Sequence, residues 1–143
     1  MKKVLVDINI LLDFLNKRED HISAAAIIDL CIKKKIKGYV CSHEITTLSY
    51  FLEKHKYPKA QRIRIINSLL DTFSVISVNE KILRNALSSS IDDYEDAVIV
   101  ESARSEQVDL IITRDLKDFK QSSYDIATAS EALVLIGPDQ MDV

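Results

Sequence analysis

The stretch Lys3-Val4-Leu5-Val6-Asp7-Ile8-Asn9-Ile10-Leu11-Leu12 constrains this chain more than any other. Val4, Leu5, Val6 and Ile8 suit a strand buried on both faces, where a continuous apolar run replaces alternation. The run feeds straight into a helix and carries one carboxylate in its middle. An ionised carboxylate in apolar surroundings is costly unless something compensates it. Asp7 is therefore protonated, paired with a basic residue, or holding a cation.

With 143 residues, 47% of them hydrophobic, the chain can bury one real core. It has no Pro/Gly/Ser-rich linker, repeat or low-complexity tract, so a single domain over residues 1–143 is expected. Met1-Lys2-Lys3 followed by apolar residues resembles a signal peptide at first sight. Asp7, Asn9 and Asp13 interrupt it, and no small-residue cleavage site follows. No apolar run is long enough to span a bilayer, so a cytoplasmic protein without a membrane partner is expected. Cys31 and Cys41 lack Cys-x-x-Cys spacing and read as small core residues in a reducing compartment. The net charge of −3 is unevenly spread. Residues 1–78 carry 13 Lys/Arg against 8 Asp/Glu, and residues 79–143 carry 6 against 14, which hints at an electropositive face.

Along the chain, Asn9 to Asn16 reads as a short helix with Asp13 exposed. Asp20 caps a second helix with Ile22, Ala26, Ile27, Leu30 and Cys31 inward, closed by Lys33-Lys34-Lys35 and Gly38. Tyr39-Val40-Cys41 is a strand, and Ser42 caps a helix to about Lys56. Lys59 to Phe73 is a helix with Ile63, Ile66 and Leu70 inward, and Ser74 to Val78 a third strand. A helix from Asn79 or Glu80 to about Ser89 has Ile82, Leu83, Ala86 and Leu87 as its apolar face, and Asp93 to Gln107 is the next helix. Asp109 to Thr113 is a fully apolar fourth strand, Tyr124 to Thr128 a fifth, and Ser130 to Ile136 a closing helix ended by Gly137-Pro138, after which the chain frays. Short apolar strands alternating with helices predict an α/β domain with a mainly parallel sheet. In such sheets ligands bind outside the carboxyl ends of the strands.

Unexplained carboxylates fall at those ends. Asp7 ends the first strand, Glu44 lies three residues past Cys41, and Asp115 two past Thr113. Asp96 shares a helix face with Ile99, Val100 and Ala103, out of place for a purely structural helix. Each also has a structural alternative. Glu44 can complement a helix macrodipole, Asp93 can belong to a cap three residues after Ser90, Asp115 can be a turn residue, and Asp118 a solvated loop acid. Four acids at one edge would repel and raise one another's pKa values, which a hard divalent cation would relieve. His21, His43 and His55 have no zinc-ligand spacing, and two glycines leave no P-loop. No Gly-x-Ser-x-Gly elbow or Cys/His nucleophile pattern occurs.

The ordered set of Val6-Asp7-Ile8-Asn9-Ile10-Leu11, Ser42-His43-Glu44, Asp93-Tyr94-Glu95-Asp96-Ala97 and Ile112-Thr113-Arg114-Asp115-Leu116-Lys117-Asp118-Phe119 resembles the PIN domain, and within it the VapC-type toxin ribonucleases. The resemblance implies a three-layer α/β/α sandwich around a parallel sheet of four or five strands in the order 3-2-1-4-5. It implies a Mg²⁺- or Mn²⁺-dependent endoribonuclease in which Asp7, Glu44, Asp96 and Asp115 are the catalytic, metal-binding acids. Asn9 and Thr113 would support them, with Asp93 and Asp118 as outer helpers. It implies hydrolysis to 5′-phosphate and 3′-hydroxyl products, a homodimer, and a small antitoxin protein as partner. Lys33, Lys34, Lys35, Arg62 and Arg114 are candidate contacts to RNA phosphates, alongside Lys37, Lys54, Lys56 and Arg64. Without the four site acids the formal charge of −3 would become +1, so the remaining surface is not acidic overall.

Two rival classes stand beside this reading. An aspartyl-phosphate domain also uses a strand-end Asp with Mg²⁺. A receiver, however, would want its acceptor after the third strand, where Ser77-Val78-Asn79 stands, and a phosphatase wants Asp at the position of Asn9. The other rival is a non-catalytic PIN-like binding module.

Overall fold

The computed structural model describes residues 1–137. In chain order it contains β1 (Lys3–Val6), α1 (Ile8–Leu15), α2 (His21–Ile32), β2 (Lys37–Cys41), α3 (Ser42–Lys54) and α4 (Lys59–Thr72). There follow β3 (Ser74–Ile76), α5 (Glu80–Leu87), α6 (Tyr94–Ser105), β4 (Leu110–Ile112), a short 3-10 helix (Leu116–Phe119), β5 (Ile126–Ala127) and α7 (Ala129–Ile136). The strands form one sheet in the order β3-β2-β1-β4-β5, and every pairing is parallel. The predicted topology is the observed one.

β1 lies at the centre, and its apolar run is explained by burial on both faces. Val4, Val6, Val40, Leu110 and Ile112 point to one side, where Ile10 and Leu11 of α1, Ile27 and Leu30 of α2, and Ala129 and Ala132 of α7 cover them. Leu5, Tyr39, Cys41 and Ile111 point to the other, under Ile82 and Ala86 of α5 and Ala97, Ile99, Val100 and Ala103 of α6. The result is the three-layer α/β/α sandwich. A third cluster of Ile8, Leu12, Leu48 and Leu52 joins α1 to α3 at the edge of the sandwich.

Several local expectations differ from the structure. Ile8 opens α1 rather than ending β1, and β3, β4 and β5 are shorter than their apolar runs. Asp13 is buried, not exposed. Ile22, Ile63 and Leu70 are exposed, as are Leu83 and Leu87. α4 buries no residue fully, because it covers the α1–α3 cluster through Ile65 and Leu69 rather than lying on the sheet. The expected stripe of Ile63, Ile66 and Leu70 is thus the wrong face: Ile65 and Leu69 turn inward instead.

Caps also move. Cys41 is the N-cap of α3; Ser42 is its first residue, and the Ser42 hydroxyl accepts from the Val78 N–H at 3.1 Å. Asp20 makes no side-chain cap bond, whereas Asn79, Asp93 and Thr128 cap α5, α6 and α7. Gly38 is not a helix terminator but lies inside β2, where a Cβ would stand 2.6 Å from Cys31 Sγ and 2.7 Å from Phe73 Cδ1. The sheet and α2 approach there at a distance only glycine allows. Gly137, with φ of 90°, closes α7; the predicted role of Pro138 and the fraying beyond it lie outside the described residues. Cys31 and Cys41 are buried free thiols, and burial pushes Cys31 up to about 12, as core residues. No helix among the described residues is long and apolar enough to cross a membrane.

Candidate active site

Asp7 stands where β1 hands over to α1, at the carboxyl edge of the two central strands. Its N–H donates to the Ile112 carbonyl at 2.9 Å, which ties it to the end of β4. Its side chain is 5% exposed. The Asp7 Oδ2 accepts from the Thr113 hydroxyl at 2.8 Å and from the Asn9 amide at 3.2 Å. That same Asn9 amide nitrogen lies 3.2 Å from both Thr113 Oγ1 and Asp115 Oδ2, so one side chain links both strand ends. Thr113 Oγ1 also accepts from the Asp115 N–H at 3.2 Å. Asn9 and Thr113 therefore both donate to the Asp7 carboxylate. Burial raises the pKa of Asp7, and the charge of Asp115 adds to the rise. The Thr113 hydroxyl and the Ile8 and Asn9 N–H groups oppose it.

Glu44 is 1% exposed and holds the floor of the site. Its Oε2 accepts the first N–H of α1, from Ile8, at 2.6 Å, and its Oε1 accepts the Cys41 N–H at 2.8 Å. One carboxylate thus completes the N-terminal ends of two helices, which explains its position three residues past Cys41. Glu44 is thus a structural cap for α1 and α3, and it also lies within reach of the charge of Asp7. Burial, then the negative charge of Asp7, pushes its pKa well above the usual carboxylate range, against the two N–H donors.

Asp96 comes from the opposite layer. Asp93 is the N-cap of α6 and accepts from the Asp96 N–H at 3.0 Å, which places Asp96 in the first turn, half-buried and facing the strand ends. Burial pushes it up to about 7, helped in turn by the charges of Asp93, Asp7, Asp118 and Glu95. Asp96 thus lies within reach of the charges of Asp7, at the end of β1, and of Asp118 on the 3-10 helix. Asp118 belongs to that 3-10 helix, which is anchored by the buried Phe119. Asp115 is exposed beside it.

Asp7 needed a partner, and among the described residues no ion pair reaches it. Hydrogen bonds from the Thr113 hydroxyl, the Asn9 amide and the Ile8 and Asn9 N–H groups compensate it in this structure. No three His, Cys, Asp or Glu side chains among the described residues stand close enough to hold a metal ion as they are. The donor chemistry nonetheless fits a hard divalent cation: carboxylates with an adjacent amide and hydroxyl, and neither imidazole nor thiolate among them. Burial first, and the neighbouring carboxylates after it, raise the pKa values of Asp7, Glu44 and Asp96.

The basic candidates scatter. Lys33, Lys34 and Lys35 follow α2 and precede β2, which places them at the amino edge of the sheet, away from the acids; Lys33 pairs with Asp29 at 3.0 Å. Arg62 donates to the Tyr57 carbonyl at 2.6 Å. Arg114 alone flanks the acids, and its Nη1 lies 2.6 Å from Asp13 Oδ1. Sequence reasoning missed Asp13. The available signal was its place four residues after Asn9, one helical turn on along the same face.

Comparison with known structures finds the same fold. A toxin–antitoxin complex from Klebsiella pneumoniae superposes with a TM-score of 0.69 at 21% identity, covering 88% of this chain and 97% of that one. VapBC2 from Rickettsia felis, bound to a DNA fragment from its promoter, gives 0.65 at 21% identity, covering 87% and 96%. VapBC-1 from nontypeable Haemophilus influenzae gives 0.63 at 16% identity, covering 89% and 98%. Comparison with curated proteins finds no match. At these identities the likeness is one of fold, and the sequence itself supplies the family: residues 3–117 match the profile of the PIN domain, so the chain belongs to the PIN domain family.

Proposed function

We propose that this protein is a metal-dependent endoribonuclease, the toxin of a toxin–antitoxin pair. The observation that carries the reading is Asp7, a carboxylate buried at the end of the central strand, with no cationic partner among the described residues, with the charge of Asp115 acting on it and its own charge acting on Asp96 and Glu44. Mg²⁺ or Mn²⁺, when bound, would supply charge neutralisation at a phosphate and a water acidic enough to attack phosphorus near neutral pH. Asp7, Asp96 and Asp115 would hold it. Glu44 keeps the backbone on both sides of the site in place, and the lone pairs left free by its two N–H partners are what it offers to a ligand or a water. Asn9 and Thr113 orient Asp7 and Asp115, and Asp93 fixes the turn that presents Asp96. Asp96, pushed up to about 7 first by burial, would have to be ionised to serve as a ligand, so cation binding there would be coupled to loss of its proton. Asp118 lends charge from the outer rim, and Arg114 is the basic residue at the acids.

The antitoxin partner is supported by the toxin–antitoxin complexes among the structures of this fold. An open apolar groove of about 380 Å³ lined by Leu11, Phe14, Leu15, Ile28, Ile32 and Leu69 is consistent with a protein partner. The family resemblance extends the proposal to a cytoplasmic homodimer.

Cleavage of structured RNAs with and without Mg²⁺ or Mn²⁺ tests the reading. Metal-dependent cleavage abolished by Asp96→Asn supports it. If no cleavage depends on metal and on Asp96, the nuclease assignment fails and a non-catalytic binding module takes its place.

A further inference from the structure

Asp13 is the buried acid for which the proposed chemistry has no use. It sits on α1 with a side chain only 3% exposed, one turn beyond Asn9. Its Oδ1 receives Arg114 Nη1 at 2.6 Å, while Arg18 Nη1 stays at 3.9 Å. Arg114 is the middle residue of the Thr113–Asp115 turn. Its backbone N–H donates to Asn9 Oδ1 at 3.1 Å, and its Nε lies 3.8 Å from Asp115 Oδ1. Two residues one turn apart on α1 therefore grip the same arginine, one by its backbone and one by its guanidinium. The arginine in turn flanks the carboxylate that Asn9 holds at 3.2 Å.

The backbone of Asp115 is tied to Thr113 Oγ1 and to the Asp118 N–H, but its side chain is held by the Asn9 amide at one oxygen and flanked by Arg114 at the other. Asp115 is exposed, lies after the last residue of β4, and leads into a four-residue 3-10 helix. A loop carboxylate in that situation has wide rotational freedom, whereas a ligand must be held within a few tenths of an ångström. We propose that Asp13 is a positioning residue: through Arg114 it locks the Thr113–Asp115 turn onto α1, so that Asp115 stands ready beside Asp7. Arg114, 43% exposed, then acts first as a strut and not as a free phosphate contact. The proposal rests on the metal-dependent reading of the acid cluster.

Mn²⁺ binding to the full chain, followed by isothermal titration and by the electron paramagnetic resonance signal of free Mn²⁺, tests it without reference to RNA. Asp13→Asn and Arg114→Gln should each weaken Mn²⁺ binding by about 10- to 100-fold, the usual effect of removing a residue that orients a metal ligand. The double variant should lose little more than either single one, because both break one linkage. Arg114→Gln is the decisive arm. If Arg114 acted only through its charge, removing a cation beside the acids would tighten Mn²⁺ binding, so unchanged or tighter binding overturns the proposal. Should Asp13→Asn fail to fold, the half-exposed Arg114 still allows the substitution to be made and read. Wild-type protein that binds no Mn²⁺ refutes the metal reading and this proposal with it. Wild-type binding that Arg114→Gln leaves intact refutes this proposal alone.

Discussion

Replacing Asp96 with Asn should stabilise the metal-free protein at pH 8 and leave it nearly unchanged at pH 4. The Asp96 carboxyl is pushed from its ordinary 3.8 to about 7, first by burial and then by Asp93, Asp7, Asp118 and Glu95. The folded chain thus keeps a proton that the unfolded chain releases between those two values. Stability falls as pH rises through that window and stays lowered above it. A displacement of about three pH units corresponds to roughly 4 kcal/mol for a fully buried group. Asp96 is only half-buried, so solvent screening reduces this to about 1–2 kcal/mol. The first turn of α6 favours a negative charge by about 0.3–1 kcal/mol, which Asn forgoes. The net gain is about 1 kcal/mol, or roughly 3 °C in Tm for a domain of this size. Thermal melts and urea titrations in EDTA at pH 4 and pH 8 measure it. If Asp96→Asn destabilises equally at both pH values, Asp96 makes a favourable structural contact and the repulsion argument is wrong. On the proposed metal-binding reading, saturating Mg²⁺ at pH 8 should shrink or reverse this difference, since the wild type offers the ion one more carboxylate.

Two further substitutions probe the frame of the site. Glu44→Gln places an amide N–H₂ against one of two buried backbone donors, Ile8 N–H or Cys41 N–H, and should cost about 1–3 kcal/mol by urea unfolding at pH 7. A variant as stable as wild type would show that the carboxylate is not the shared cap of α1 and α3. Gly38→Ala should lose about 1–3 kcal/mol, because the new Cβ meets Cys31 Sγ and the Phe73 ring inside contact distance. A neutral result in thermal melts would mean that α2 and Phe73 can withdraw from β2 without loss.

Several of the candidate acids stood out in the sequence. Asp7 and Asp96 interrupt apolar patterns whose period fixes which face they share, and a charge on a core face is a visible anomaly. Glu44 and Asp115 became readable through the rule that ligands gather at the carboxyl ends of parallel strands. Asp13 was not legible in this way. It looked like a polar residue on the outer face of a short helix, and only the return of β4 beside β1 brings Arg114 over it, 101 residues later in the chain. Glu44's double duty was hidden for the same reason, since its α1 partner Ile8 lies 36 residues earlier.

The sequence by itself determined most of the elements and the α/β class with its parallel sheet, because these follow from local periodicity, and the cost of burying charge marked Asp7 and Asp96 as anomalies. Tertiary structure decided the rest. It turned Gly38 from a helix stop into a packing requirement, left Ile63 and Leu70 on the surface, and sent Lys33–Lys35 to the edge opposite the acids. It also converted Asp7 from an isolated charge into the centre of a network with Asn9, Thr113 and Asp115. The physical reason is range. Propensity and pattern act over a few residues, whereas burial and electrostatics depend on which distant strand becomes the neighbour.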